Sequence, residues 1–321
     1  MGKKHIIGIV LILAALIIGF ASPVSNFGMA LSGVKPHKKV APESKDENTE
    51  LYEEIRKFGE ENKTDPMDAT VDRVWKAIPG YNGLIVDIEA SYEKMKPDGK
   101  FDEGKIVYRE VPPEVRLKDL GPEPIYRGNP QKPMVALLIN VAWGNEYIPQ
   151  MLKTLENHKI KATFFFDGSW VNNNPDLAVE IKEAGHEIGN HAYSHPDLSG
   201  YSANQTIDEL EKTNRVIMET LDVKPEWFAP PSGSFNADTV RVAHELGMRT
   251  ILWTVDTVDW RKPDTWEMVN RVVSKVENGS MILMHPTKPT AEGLDTMIKN
   301  IKAKGLRLGT VSNLMSEGRL D

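Results

Sequence analysis

Two histidines four residues apart, His191 and His195, follow an apolar segment ending in Gly189-Asn190 and precede Pro196. This setting predicts a turn at a strand end, where two imidazoles can converge on one divalent ion. The spacing is weak evidence by itself, because unrelated surface or capping histidines share it. His285 carries more. It ends the run Met281-Ile282-Leu283-Met284, so its ring emerges from a buried strand, where general acid or base chemistry is done. The segment Asp256-Thr257-Val258-Asp259-Trp260 ends the preceding strand, and a carboxylate there is placed to orient His285. Each feature alone also fits an ordinary capped turn with a buried tryptophan. Three histidines and two aspartates at strand ends together describe a catalytic or formerly catalytic site. His158, His186 and His244 fall on helices or just before a strand and read as surface residues.

The elements that must position these residues begin after Pro133. Short β-branched or aromatic runs start at Val135, Thr163, Glu187, Trp227, Thr250, Met281 and Leu306, and amphipathic helical stretches lie between them. Asn236 reads as a helix cap with Gly247 closing the same helix, and Asp264 with Glu267 makes a capping-box pattern. Strict alternation of strand and helix predicts a parallel sheet with helical crossovers. About seven units fit an incomplete α/β barrel at least as well as an open doubly wound sheet. Both architectures put ligands at the C-terminal ends of the strands, which selects Asn140, Asp167, His191 with His195, Ala229 with Pro230 and Pro231, Asp256 through Trp260, and His285.

Upstream the chain divides differently. Residues 1–22 place Lys3 and Lys4 before an apolar run from Ile6 to Ala21, a pattern of export in which a signal peptide and an uncleaved membrane anchor both stay open. Residues 23–64 are polar and charged, and read as a solvated stalk with one helical piece where Leu51, Tyr52, Ile55 and Phe58 share a face. Residues 65–132 are expected to form a small α+β domain: a helix around Val71 to Ala77, a strand Leu84 to Ile88 and a second strand Lys105 to Tyr108. The 39 Lys and Arg against 46 Asp and Glu leave a net charge of -7, without the basic excess that nucleic acid demands. Cysteine is absent, so any metal must be held by His, Asp, Glu or Asn.

Ala162-Thr163-Phe164-Phe165, Gly189-Asn190-His191 through His195, Asp256-Thr257-Val258-Asp259-Trp260 and Leu283-Met284-His285 stand in order along residues 133–321. This series resembles the polysaccharide deacetylases of carbohydrate esterase family 4, which share the NodB homology domain. Ala142-Trp143-Gly144 is similar to a subgroup from endospore-forming bacteria, and the N-terminal unit resembles its sporulation-associated branch. The resemblance implies an incomplete (β/α)7-type barrel, a glycan partner in the cell wall such as peptidoglycan, and a groove bordered by Trp143, Pro230, Pro231 and Trp260. It also implies a zinc or cobalt ion on His191 and His195, and amide hydrolysis assisted by His285 with Asp259.

The departures from the family pattern are concentrated. Asn140 stands at the general-base position, Val141 at the carboxylate metal ligand, Ala229 at the arginine that pairs with the base, and Ser232 at an aromatic groove position. Asn145 replaces a later aspartate of the subgroup, and Ala192 a serine or threonine. An amide cannot accept a proton near neutral pH, so Asn140 cannot act as base. With no carboxylate to neutralise, an arginine at 229 would be an unpaired buried charge. Three functions follow: a glycan-binding envelope protein with impaired or lost hydrolysis, an active deacetylase with base duty passed to Asp167 or Glu146, or a structural envelope or spore component.

Overall fold

The computed structural model describes residues 47–320. The expected export segment and the first part of the stalk lie outside the described residues. The described residues belong to one compact unit.

The chain enters through helix α1 (Glu47–Glu61), whose Leu51 and Ile55 pack against Val86 and Met95 to make a small core of their own. The expected helix over Val71 to Ala77 is instead an antiparallel hairpin of β1 (Thr70–Asp72) and β2 (Lys76–Ile78). The reason is local: the Asp72 carboxylate accepts from the backbone N–H groups of Val74 and Trp75, and Lys76 adopts the left-handed region at φ 59°. A second antiparallel pair joins β3 (Gly83–Val86) to β4 (Tyr108–Val111). Between them Asp87 caps α2 (Ile88–Met95), a helix that starts where a strand was expected to end. The second expected strand begins three residues late, because Asp102 caps a 3₁₀ turn at Glu103–Lys105.

The rest is the anticipated parallel sheet. Its strands are β5 (Met134–Val141), β6 (Thr163–Phe166), β7 (Glu187–Asn190), β8 (Trp227–Phe228), β9 (Arg249–Thr250), β10 (Val255–Asp256), β11 (Met281–Met284) and β12 (Arg307–Gly309). Neighbours run β10-β11-β5-β6-β7-β8-β9, and β12 pairs with the start of β5. Helices α3 (Ile148–His158), α4 (Gly168–Asn173), α5 (Pro175–Glu183), α6 (Ala203–Leu221), α7 (Ala237–Glu245), α8 (Thr265–Lys275), α9 (Lys288–Ala303) and α10 (Val311–Met315) connect or flank the strands. All eight residues of β5 are buried, as expected for a strand covered on both faces. Alternate β5 residues divide the interior: Val135, Leu137, Ile139 and Val141 join the helix-packed core, whereas Ala136 and Leu138 join a second cluster with Phe165 and Ala229.

Strands β9 and β10 do not pair, so the barrel is incomplete. The free edge of β9 is covered from upstream. Ile125 donates its N–H to the Thr250 carbonyl and accepts from Leu252 N–H, while Lys76 of β2 bridges its other side. Three residues on, Gly128 N–H donates to the Gly279 carbonyl just before β11. Ala77, Leu117 and Ile125 also enter the second cluster, so the segment before residue 133 supplies part of the barrel floor. His186, expected on the surface, is only 7% exposed, with its Nδ1 accepting from Ala162 N–H and its ring tilted against Phe164.

Candidate active site

A cavity of about 400 Å³ opens at the C-terminal ends of the strands. Asn140, Trp143, His191, His195, Trp260 and His285 all line it. The strands bring together residues up to 145 positions apart in sequence, which is what a curled parallel sheet does for its strand ends.

Asn190 and Glu209 shape the histidine loop. The Asn190 side chain accepts from Ala192 N–H and donates to the Leu210 carbonyl and to Asn214, anchoring the end of β7 to α6. Glu209 brackets the loop from the same helix: one carboxylate oxygen accepts from the N–H groups of Tyr193 and Ser194 at 2.8 and 2.9 Å, and the other from the Ser194 hydroxyl. Held this way, Ala192 and His195 both adopt the left-handed region, at φ 59° and 55°. His191 and His195 stand edge to face with ring centroids 5.1 Å apart. His191 is buried, and its Nδ1–H donates to the Ala229 carbonyl at 2.7 Å, which leaves Nε2 as its free nitrogen. Desolvation, with His195 nearby, pushes its pKa down to about 3, so the ring is neutral at physiological pH.

On the opposite wall, His285 Nδ1–H donates to Asp259 Oδ1 at 2.8 Å, leaving Nε2 as its free nitrogen. Asp259 is fully buried and well supplied with donors: His285 N–H and the Thr290 hydroxyl both reach Oδ2. Burial works to raise its pKa, and the His285 side chain and these hydrogen bonds outweigh it, so the carboxyl is held below its ordinary value. Trp143 lies over His285, ring planes 10° apart. Gly144 permits this approach: at φ 88° it passes so near the Pro286 carbonyl that a Cβ would sit 2.0 Å from that oxygen.

The remaining candidates fall into place less directly. Asn140 is 4% exposed, and its Oδ1 is buried without a hydrogen-bond partner. Val141 packs into the helix-side core at 0% exposure, and Ala229 is 1% exposed. Pro230 and Pro231 are buried and do not line the cavity; the neighbouring Ser232, at φ 54°, forms that wall. Trp253 lines the cavity although its position reads as mid-strand, because the run from Thr250 to Val255 breaks into β9 and β10 and releases it from the sheet. Gly233 makes room for it, since a Cβ there would meet the indole at 2.7 Å. The alternative bases lie elsewhere. Asp167 caps α4, bonded to Trp170 N–H and the Ser169 hydroxyl, with burial raising its pKa. Glu146 faces a second cavity. Asn145 accepts from the Trp170 indole and donates to Asn174 rather than reaching the mouth.

Two imidazoles beside an orphaned amide oxygen and a buried valine do not make a three-ligand catalytic metal set. Among the described residues no group of three His, Asp or Glu side chains is disposed to hold an ion. The donor set does not fit a catalytic zinc or cobalt site, and no step through a metal follows from it.

The incomplete parallel barrel matches the fold of carbohydrate esterase family 4, and the family profile described as polysaccharide deacetylase matches residues 127–251. The chain belongs to that polysaccharide deacetylase family. It is 49% identical to a CE4 family pseudoenzyme from Bacillus anthracis of solved structure, covering 84% of this chain and 96% of that one with a TM-score of 0.80. A mutant of that pseudoenzyme is described as having restored enzymatic activity. The protein YlxY of Bacillus subtilis, described as uncharacterised, is 56% identical over 84% of this chain and 85% of its own length. The peptidoglycan-N-acetylglucosamine deacetylase PgdA of Listeria monocytogenes is 33% identical over 57% of this chain, which spans only 39% of that protein.

Proposed function

We propose that the protein docks an N-acetylglucosamine-containing glycan of the cell envelope, such as peptidoglycan, at the barrel mouth, with amide hydrolysis impaired or lost. The observation that carries this reading is Asn140, whose buried oxygen is unpartnered at the strand end beside Val141, where the family pattern calls for two carboxylates. Loss of a general base costs about a hundredfold to ten-thousandfold. The Asp259–His285 pair keeps the free imidazole nitrogen in position, and the indoles of Trp143, Trp253 and Trp260 offer flat apolar faces to sugar rings. An exported, wall-facing location, anchored or secreted through residues 1–22, belongs to the same reading.

The test is acetate release from N-acetylglucosamine oligomers and peptidoglycan with zinc or cobalt added, alongside equilibrium glycan binding. Saturable binding without turnover, weakened by Trp260→Ala, is the expected result. Turnover that disappears in His195→Ala would overturn it in favour of an active deacetylase.

A further inference from the structure

At the other end of the barrel, where the strands begin, a cavity of about 290 Å³ lies between the starts of β5 and β12, the end of α10 and the tail that follows it. Met134 on its wall and Asn140 at the mouth stand at opposite ends of β5, about 20 Å apart. Glycan docking at the mouth neither needs this cavity nor explains it.

Lys132 forms part of the wall and is 2% exposed. Its ammonium donates to the Asn313 carbonyl at 2.6 Å and the Ser316 carbonyl at 2.5 Å, which uses two of its three N–H groups. The nearby Glu110 carboxylate is engaged elsewhere, by the Asn82 side chain and the N–H groups of Arg319 and Leu320. Arg307 lines the same cavity as a second cation. Burial, with the Arg307 charge added to it, pulls the Lys132 pKa down to about 8, so its surroundings do not fully offset the buried charge.

The rest of the polar lining also donates. Asn313 Oδ1 is taken up by the N–H and hydroxyl of Thr310, which leaves the NH₂ as its free group. The Ser316 hydroxyl oxygen accepts from Gly318 N–H and keeps its own proton to give. Among the described residues no Asp or Glu lines the cavity. Two cations, an amide NH₂ and a hydroxyl around one space suit an oxyanion with several acceptor oxygens, which is the chemistry of a phosphate.

We propose that this cavity binds a phosphate group between Lys132 and Arg307, with Asn313 and Ser316 donating to its remaining oxygens. The anion supplies the counter-charge that two neutral carbonyls do not, and it ties the end of α10 to the start of β5. A free phosphate and the phosphate of an anionic lipid headgroup share this chemistry.

The experiment is calorimetric titration of the full-length protein with inorganic phosphate, with chloride at matched ionic strength as the control. Saturable binding at one site is expected, weakened about tenfold in Arg307→Gln. Lys132→Met would also strip two carbonyls of their donor, so the lysine is read in the wild type instead: phosphate is expected to slow its acetylation by acetic anhydride severalfold, followed by mass spectrometry, and chloride is not. Vesicles of phosphatidylglycerol and of phosphatidylcholine separate the two sources. Binding to the anionic vesicles alone, competed by phosphate and reduced in Arg307→Gln, would support the site with a lipid headgroup as its ligand. Phosphate binding without that vesicle effect would support it with a free phosphate. Heats matched by chloride, affinity unchanged in Arg307→Gln, or Lys132 acetylation indifferent to phosphate would each overturn it.

Discussion

The indole of Trp143 lies parallel to the imidazole of His285, with ring centroids 5.8 Å apart and planes inclined by 10°. One face of the imidazole that Asp259 holds is therefore screened by a residue that also borders both cavities at the mouth. Trp143→Ala is expected to weaken oligosaccharide binding by about tenfold or more, since a half-exposed aromatic anchor is lost from the centre of the groove. Calorimetry on the variant checks this, and circular dichroism will show the fold unchanged because the side chain closes no core.

Ala229 and Asn140 should be coupled. Ala229→Arg alone places a guanidinium at a position 1% exposed with no carboxylate waiting for it, and should cost about 3–5 kcal/mol in urea unfolding. The same substitution made together with Asn140→Asp should cost much less, a non-additivity read directly from a double-mutant cycle. Adding Val141→Asp should raise zinc affinity in calorimetric titration and bring acetate release above the wild-type level. Additive costs, or no gain in zinc affinity, would mean that these positions do not face one another as the family pattern implies.

His186 should make the protein acid-sensitive. Burial, helped by Lys161, lowers its pKa to about 4, while the unfolded chain protonates near the ordinary value of 6.5. Its contribution is therefore fully present above pH 6.5 and is lost as pH falls toward 4, where the unfolded state binds the extra proton. The slope from one such group is at most about 1.4 kcal/mol per pH unit. Urea midpoints between pH 7 and pH 4 should fall less steeply in His186→Gln than in the wild type; His191, also lowered by burial, keeps some slope in both.

Ile125→Ala should destabilise the whole barrel by about 2–5 kcal/mol. The side chain is fully buried among Leu138, Ile251 and Met281, although it belongs to the segment before the sheet. A single cooperative urea transition at a lower midpoint is the expected outcome. A separate early transition with the barrel midpoint unchanged would show that the upstream segment unfolds independently.

The strand-helix alternation after Pro133 was legible because the central strands are short apolar runs, as at Met134–Val141 and Met281–Met284, and several helices carry their own cap, as at Asp264 and Asn236. The mouth was legible for the same reason, since a residue that follows a buried strand has only one end of the sheet to occupy. The hairpin at Thr70–Ile78 was not, because Val71, Val74 and Ala77 have helical spacing and only the Asp72 carboxylate turns the chain. Trp253 was hidden by a strand that breaks without a glycine or proline to announce it. Glu209 carries no local signal at all: it lies 14 residues beyond the loop it brackets, and only the packing of α6 brings it there.

The open edge of β9 has a consequence for how the chain is made. An uncovered edge strand is a template for pairing with another copy of the same sequence. Here its cover, Ile125 backed by Lys76, is translated more than a hundred residues before Thr250 and Ile251 leave the ribosome. The nascent edge thus meets a partner already present on its own chain.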